Sequence, residues 1–122
     1  MDYSAIVLDH FMNPRNVGKM ENPDAIGEAG SASCGDNMVL FLKIEDNTIK
    51  DVSFLTFGCA AAIASSSITT ELIKGRTLEE VKEITNRNVV DALGGLPEKK
   101  VHCSVMVEEA LANAIKNYEE RL

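Results

Sequence analysis

NMVLFLKIEDNTIKDVSFLTF, residues 37–57, runs straight into GCAAAIASSSITTELIK, residues 58–74. In the first stretch Met38, Leu40, Leu42 and Ile44 alternate with Asn37, Val39, Phe41 and Lys43, the period of a strand with one face on a core. Asp46-Asn47 supplies the turn, and Thr48 to Phe57 returns with Ile49, Val52, Phe54 and Thr56, an alternation with some irregularity. Two β-rich runs around a short polar turn predict an antiparallel hairpin. Gly58 breaks the pattern. Cys59 to Lys74 is then dense in alanine, which predicts a helix ending before Gly75.

Outward from this unit, the C-terminal side reads as helical. Thr77 and Glu80 form a capping box for a helix from Leu78 to near Ile84. Asn88 to Leu93 gives a further helical turn, stopped by Gly94-Gly95 and Pro97. A last helix is expected to start near Cys103 or Ser104 and run to Arg121, with Val107, Leu111, Ala114, Ile115 and Tyr118 as its buried stripe. On the N-terminal side, Tyr3 to Phe11 has apolar residues at helical spacing. Asn13-Pro14 ends it, because the residue before a proline is pushed out of helical geometry. Residues 13–36 are rich in Gly, Pro, Asn and Ser, which predicts a long mobile connection with a short edge strand around Ile26 to Ser33. Helix, strands, then helices make the chain α+β, expected as a single domain over residues 1–122.

The 122 residues carry 12 Lys and Arg against 19 Asp and Glu, a net charge of −7. A surface of this sign repels nucleic-acid phosphates and anionic membranes, so neither is an expected partner. No apolar run approaches bilayer length, and Met1-Asp2-Tyr3-Ser4 does not open a secretory signal, so the expected location is cytoplasmic. Three cysteines without secretory features imply reduced thiols in metal-binding or reactive roles rather than a disulfide framework.

Each cysteine falls at a boundary between expected elements: Cys34 before a strand, Cys59 between a strand and a helix, Cys103 at the start of the last helix. Inert core cysteines would sit on apolar stripes instead, and boundaries at one end of a small protein can converge. A helix N-terminus favours a deprotonated sulfur, which suits Cys59 and Cys103. Gly35 and Gly58 leave room for backbone N–H groups to approach a bound sulfide. Three thiolates want a fourth ligand, for which Asp36 and His102 are the candidates. Soft thiolates select zinc or iron–sulfur units, and a carboxylate among them makes a cluster labile, which serves a protein that must release its cargo.

Ser33-Cys34-Gly35-Asp36, Thr56-Phe57-Gly58-Cys59 with Ala62 to Ser67, and Lys100-Val101-His102-Cys103-Ser104 resemble the three signature segments of the IscU family, which is similar also to the N-terminal domain of NifU. Leu8-Asp9-His10-Phe11 and Asn13 to Gly18 resemble its N-terminal region. The resemblance implies a three-stranded antiparallel sheet with helices packed on one side. It implies a non-enzymatic scaffold for de novo iron–sulfur cluster assembly, which holds a labile [2Fe–2S] cluster and transfers it to apo-proteins. Cys34, Cys59 and Cys103 would hold the cluster, Asp36 would tune its lability, and His102 would be an accessory or alternative ligand. The implied partners are a cysteine desulfurase supplying persulfide sulfur, an electron donor such as a ferredoxin, and apo iron–sulfur acceptor proteins. The scaffold would be a monomer or a homodimer bridged by the cluster. Family members are often partly disordered without metal, which the Gly- and Pro-rich stretch before Asp36 would suit. Two departures stand out. Leu96-Pro97-Glu98-Lys99-Lys100 replaces the Leu-Pro-Pro-Val-Lys chaperone-docking segment of many members, and Ala60 follows Cys59 where glycine is frequent. Ending at Leu122, the chain is expected to act as a stand-alone scaffold.

Three other classes remain. A SufU-like zinc-binding sulfur acceptor would carry an inserted segment before the third cysteine motif, and none is visible between Cys59 and Cys103. A structural zinc domain would accept Cys₃Asp or Cys₃His ligation, but it usually shows close Cys-x-x-Cys pairs, absent here. Zinc can also occupy a scaffold's site in purified protein. A thiol enzyme would need His102 to activate Cys103, yet neighbouring side chains at a helix start are expected to point apart.

Overall fold

Asp46 and Asn47 take positive φ of 52° and 61°, the pair of left-handed residues that a tight two-residue hairpin turn requires. They join β2 (Asp36–Glu45) to β3 (Thr48–Phe57) with Glu45 opposite Thr48, as the sequence predicts. The irregularity in the return strand is a register shift: Lys43 pairs with Asp51 but Ile44 with Ile49. The extra residue changes the parity, so that Ile49, Val52 and Phe54 are all buried despite their uneven spacing. The computed structural model describes residues 2–31 and 35–122.

Around the hairpin stand α1 (Ala5–Met12), β1 (Ala25–Ser31), α2 (Ala60–Ile73), α3 (Leu78–Lys82), α4 (Asn86–Ala92), a single 3-10 turn at Glu98–Lys100, and α5 (Val101–Glu120). The edge strand expected around Ile26 to Ser33 is present as β1, one residue earlier at its start, and pairs antiparallel with β2 from Ala25 opposite Leu42 to Ser31 opposite Asp36. The sheet order is β1-β2-β3. The connection before β1 is tied to the sheet: Gly18 donates to the Phe54 carbonyl (2.9 Å), Phe54 donates to that of Asn16 (3.0 Å), and Asp24 donates to that of Leu42 (2.8 Å). The Gly18 and Asn16 contacts with Phe54 cover part of the outer edge of β3, where unpaired strand groups would otherwise invite another chain, while the Asp24 contact extends the β1–β2 pairing.

The core lies between the sheet and the helices, α5 against β1 and β2, α2 against β3. Met38, Leu40, Leu42, Val52 and Phe54 meet Met106, Val107, Ala110 and Ile115 there. A smaller cluster of Val7, Ala64, Val89 and Leu93 joins α1, α2 and α4. The closest approach is at Gly27 of β1, where an added Cβ would stand 2.1 Å from the Ala110 carbonyl oxygen and 2.4 Å from the Ala114 nitrogen. Glycine is there because another backbone passes where a side chain would be.

Several helix boundaries differ from expectation, the first of them at α1, which begins at Ala5 behind the Ser4 N-cap rather than at Tyr3. The helix after Thr77 ends at Lys82, short of Ile84, while its capping box is present as expected. The next begins at Asn86 rather than Asn88, because the Asn88 side chain accepts from the Thr85 amide (2.8 Å) and fixes an earlier start. The last begins at Val101, two residues before Cys103, because the 3-10 turn at Glu98–Lys100 feeds directly into it. No helix among the described residues is long and apolar enough to cross a membrane.

Candidate metal centre

The core-facing row of β2 does not stop at Met38. Asp36, Met38, Leu40, Leu42 and Ile44 share one parity and are all buried, so strand periodicity alone delivers the Asp36 carboxylate to the helix side of the sheet at its end. There it meets two thiols from different elements. Cys59 is the N-cap of α2, in extended conformation, and its side chain makes no capping hydrogen bond. Its amide donates to Asp36 Oδ1 over a long 3.4 Å. Asp36 Oδ2 lies 3.9 Å from Cys59 Sγ and 3.5 Å from Cys103 Sγ, and the two sulfurs are 3.7 Å apart.

Cys103 corrects one expectation. It lies within α5, heading the buried stripe that continues through Met106, Val107, Ala110, Leu111 and Ala114, and it is fully buried. Burial first, then the neighbouring Cys59 sulfur and the Asp36 carboxylate, push its thiol far above the ordinary range. Without a cation beside it, this sulfur keeps its proton.

His102 corrects another. Its Nε2 stands 3.6 Å from Cys103 Sγ, although adjacent side chains were expected to diverge. Side chains of a helix lean toward its N-terminus, so consecutive residues of a first turn can converge beyond that end. His102 therefore borders the cluster, whereas Asp36, Cys59 and Cys103 have ligand atoms all within 4.8 Å of one another. Cys34, the remaining candidate, lies outside the described residues.

Tyr3 is a neighbour that the sequence did not point to. It packs, partly buried, against the core, within electrostatic reach of Cys59 and Cys103. Burial raises its phenol above the ordinary value, the Lys100 ammonium opposes that, and Cys59 and Cys103 add to it. A residue so far along the chain from both cysteines carries no local signal of such a position.

The three donor atoms suit one tetrahedral ion. With metal–sulfur bonds of about 2.3 Å and metal–oxygen bonds of about 2.0 Å, tetrahedral angles put two sulfurs about 3.8 Å apart and a sulfur and an oxygen about 3.5 Å apart. The observed edges of 3.7, 3.5 and 3.9 Å form such a face, with a corner left for a further ligand.

Fold and site together define an α+β protein with two thiols and a carboxylate gathered, at a spacing that suits a metal ion, at one end of a three-stranded sheet. The family described as NifU-like N terminal domain matches residues 2–122, and the chain belongs to it. It is 54% identical over 116 residues to "Iron-sulfur cluster assembly scaffold protein IscU 1" of Archaeoglobus fulgidus, covering 95% of this chain and 76% of that protein. Over 125 residues it is 47% identical to "Iron-sulfur cluster assembly scaffold protein IscU" of Azotobacter vinelandii, covering 99% of this chain and 97% of that one. A solved structure of a nitrogen-fixing NifU-like protein (N-terminal) from Brucella abortus superimposes with a TM-score of 0.79, covering 98% of this chain and 95% of that chain at 24% identity, a likeness of fold.

Proposed function

We propose that this protein is a scaffold on which an iron–sulfur cluster is built and from which it is handed to apo-proteins. The observation that carries the proposal is the buried Asp36 carboxylate within 3.5 and 3.9 Å of two thiols. A site made for permanent retention gains from thiolates alone, whereas an oxygen donor on iron is the weaker ligand and gives the cargo a way out. Membership of a family with members named as scaffold proteins supports the same reading and a non-enzymatic role.

In this proposal Cys59, Cys103 and Asp36 hold the first ferrous ion on the face described above. Cys34, two residues before Asp36 in sequence, supplies the third thiolate, and His102 serves as an accessory or alternative ligand. A cysteine desulfurase delivers sulfur as a persulfide, an electron donor such as a ferredoxin reduces it to sulfide, and a [2Fe–2S] cluster forms. Residues 1–122 act as one IscU-like unit, monomeric or paired through the cluster, in a reducing compartment such as the cytoplasm.

The donor triangle fits zinc as well as iron, which keeps one other function in view: a zinc-bound sulfur acceptor of a desulfurase. Anaerobic reconstitution with ferrous iron, cysteine and a desulfurase separates the two. Sulfide-to-iron charge-transfer bands, equal iron and sulfide, and transfer to an apo-ferredoxin are expected. Tight zinc with persulfide on one cysteine and no cluster would establish the sulfur-acceptor function instead.

A further inference from the structure

We infer that Gly58 is a positioning residue for the Asp36 carboxylate, an inference that rests on Asp36 being a metal ligand. Gly58 lies between Phe57, the last residue of β3, and Cys59, the N-cap of α2. A Cβ built on it would stand 2.4 Å from Asp36 Oδ1, 2.8 Å from Asp36 Cγ and 3.2 Å from the Ala62 Cβ. The carboxylate therefore occupies the volume that any other residue at 58 would claim. Gly35, the other glycine flanking the site, is different: a Cβ there would meet nothing within 4 Å among the described residues.

The consequence reaches the donor triangle through one rigid group. Oδ1 is the atom that accepts from the Cys59 amide, and Oδ2, on the same planar carboxylate, is the atom between the sulfurs. Displacing Oδ1 by a methyl group turns Oδ2 out of its place against Cys103. Asp36 is only 4% exposed, so it has little free volume in which to shift and still face both thiols. The missing side chain of Gly58 thus selects the carboxylate orientation that completes the face with oxygen.

Cobalt(II) titration of the metal-free full chain reads the ligand set directly, through d–d band energies and thiolate-to-cobalt charge transfer, and does not depend on cluster chemistry. Wild type, Gly58→Ala, Asp36→Ala and the double variant are compared. We expect Gly58→Ala to lower cobalt affinity on the order of tenfold, as lost positioning contacts around metals do, and to give the spectrum of Asp36→Ala. The double variant should match Asp36→Ala in affinity and spectrum. Its thermal midpoint should lie above that of Gly58→Ala, because removing the carboxylate removes the clash. It should lie below that of Asp36→Ala, because the φ of +159° at residue 58 and the Ala62 Cβ 3.2 Å away still oppose a side chain there. A Gly58→Ala spectrum and affinity equal to wild type would overturn the inference. So would a double variant as unstable as Gly58→Ala, which would assign the glycine to the backbone alone. If Gly58→Ala does not fold, a folded double variant supports the inference and an unfolded one overturns it. An unchanged spectrum in Asp36→Ala would remove Asp36 from the metal and the inference with it. The expected cobalt results without any cluster on reconstitution would overturn only the scaffold function.

Discussion

Replacing Gly27 with alanine tests whether the contact between β1 and α5 holds the site in shape. The new Cβ would lie 2.1 Å from the Ala110 oxygen, 2.4 Å from the Ala114 nitrogen and 2.7 Å from the Ala114 Cβ. Non-bonded carbons rest about 3.5–4.0 Å apart, so the strand and helix must separate by about 1 Å. Overpacking a core costs about 1–3 kcal/mol, and here the obstacle is helix backbone, which cannot swing aside as a side chain can. The upper end, about 3 kcal/mol, is the appropriate figure. Against it stands about 0.5–1 kcal/mol gained because alanine has less freedom to lose on folding than glycine. The net loss is about 2 kcal/mol or slightly more, which at about 4 °C per kcal/mol lowers the melting temperature by about 8–10 °C.

Urea and thermal unfolding of the metal-free protein measure this directly, with an unchanged urea slope expected because the surface exposed on unfolding is the same. A functional consequence follows from the layout. Helix α5 carries Cys103, β2 carries Asp36, and α5 rests on both β1 and β2. Backing the helix away from β1 shifts Cys103 against Asp36, so cobalt affinity should fall along with stability. A midpoint equal to wild type would refute the close approach and the reasoning built on it.

Four further outcomes are expected. Asp36→Ala should lengthen the lifetime of a reconstituted cluster in air and slow its transfer to an apo-ferredoxin; an unchanged lifetime would remove oxygen ligation from the release step. Cys34→Ser, Cys59→Ser and Cys103→Ser should each abolish stable reconstitution, and a variant that still builds a normal cluster would mark its cysteine as structural. Burial holds the Cys103 proton on, so metal uptake must release it and affinity should rise with pH throughout the range below that raised pKa; competition titrations showing no pH dependence would contradict this. His10 is buried with Nδ1 2.7 Å from Ser67 Oγ and Nε2 3.3 Å from Glu71; burial first and then Arg15 hold its pKa below the ordinary value, against the pull of Glu71 and Asp9. The unfolded chain then binds the proton more readily, so stability is full above about pH 6.5 and is lost as pH falls below it, and His10→Gln should flatten that slope in melting temperature.

What the sequence made legible was local. The period-two alternation of Met38 to Ile44, the turn at Asp46-Asn47 and the run from Cys59 to Lys74 each specify a conformation within a few residues, and all three elements are present. The same alternation, extended back two residues, puts Asp36 in the buried row; that signal was available from parity alone. Cys103 was harder. A helix assumed to start there makes it a cap, whereas the start at Val101 makes it the first buried position of a stripe that continues four residues later at Val107. A boundary difference of two residues thus changed an exposed-looking thiol into a core one. Tyr3 and the close approach of Gly27 to α5 are tertiary contacts between segments far apart in the chain, and no periodicity encodes them.

The three donor groups are each held by a different device: Asp36 by strand parity, Cys59 by the cap of α2, Cys103 by the buried stripe of α5. The geometry of the centre is therefore a readout of how β2, α2 and α5 are packed, and binding at the centre must act back on that packing. Without a cation, the sheet end holds the buried Asp36 side chain beside a Cys103 thiol that its surroundings keep protonated and neutral. A cation bound at the triangle binds the folded chain only, so loading should stabilise the whole fold, by an amount set by metal affinity and concentration. That coupling would make release difficult if every donor were a thiolate. In the proposed scaffold, with one donor a carboxylate oxygen, the metal would be drawn off first at its weakest bond, and Cys103 would recover its proton as the sulfur lets go. On that reading, the carboxylate that completes the donor face is also the bond at which a loaded site can be emptied.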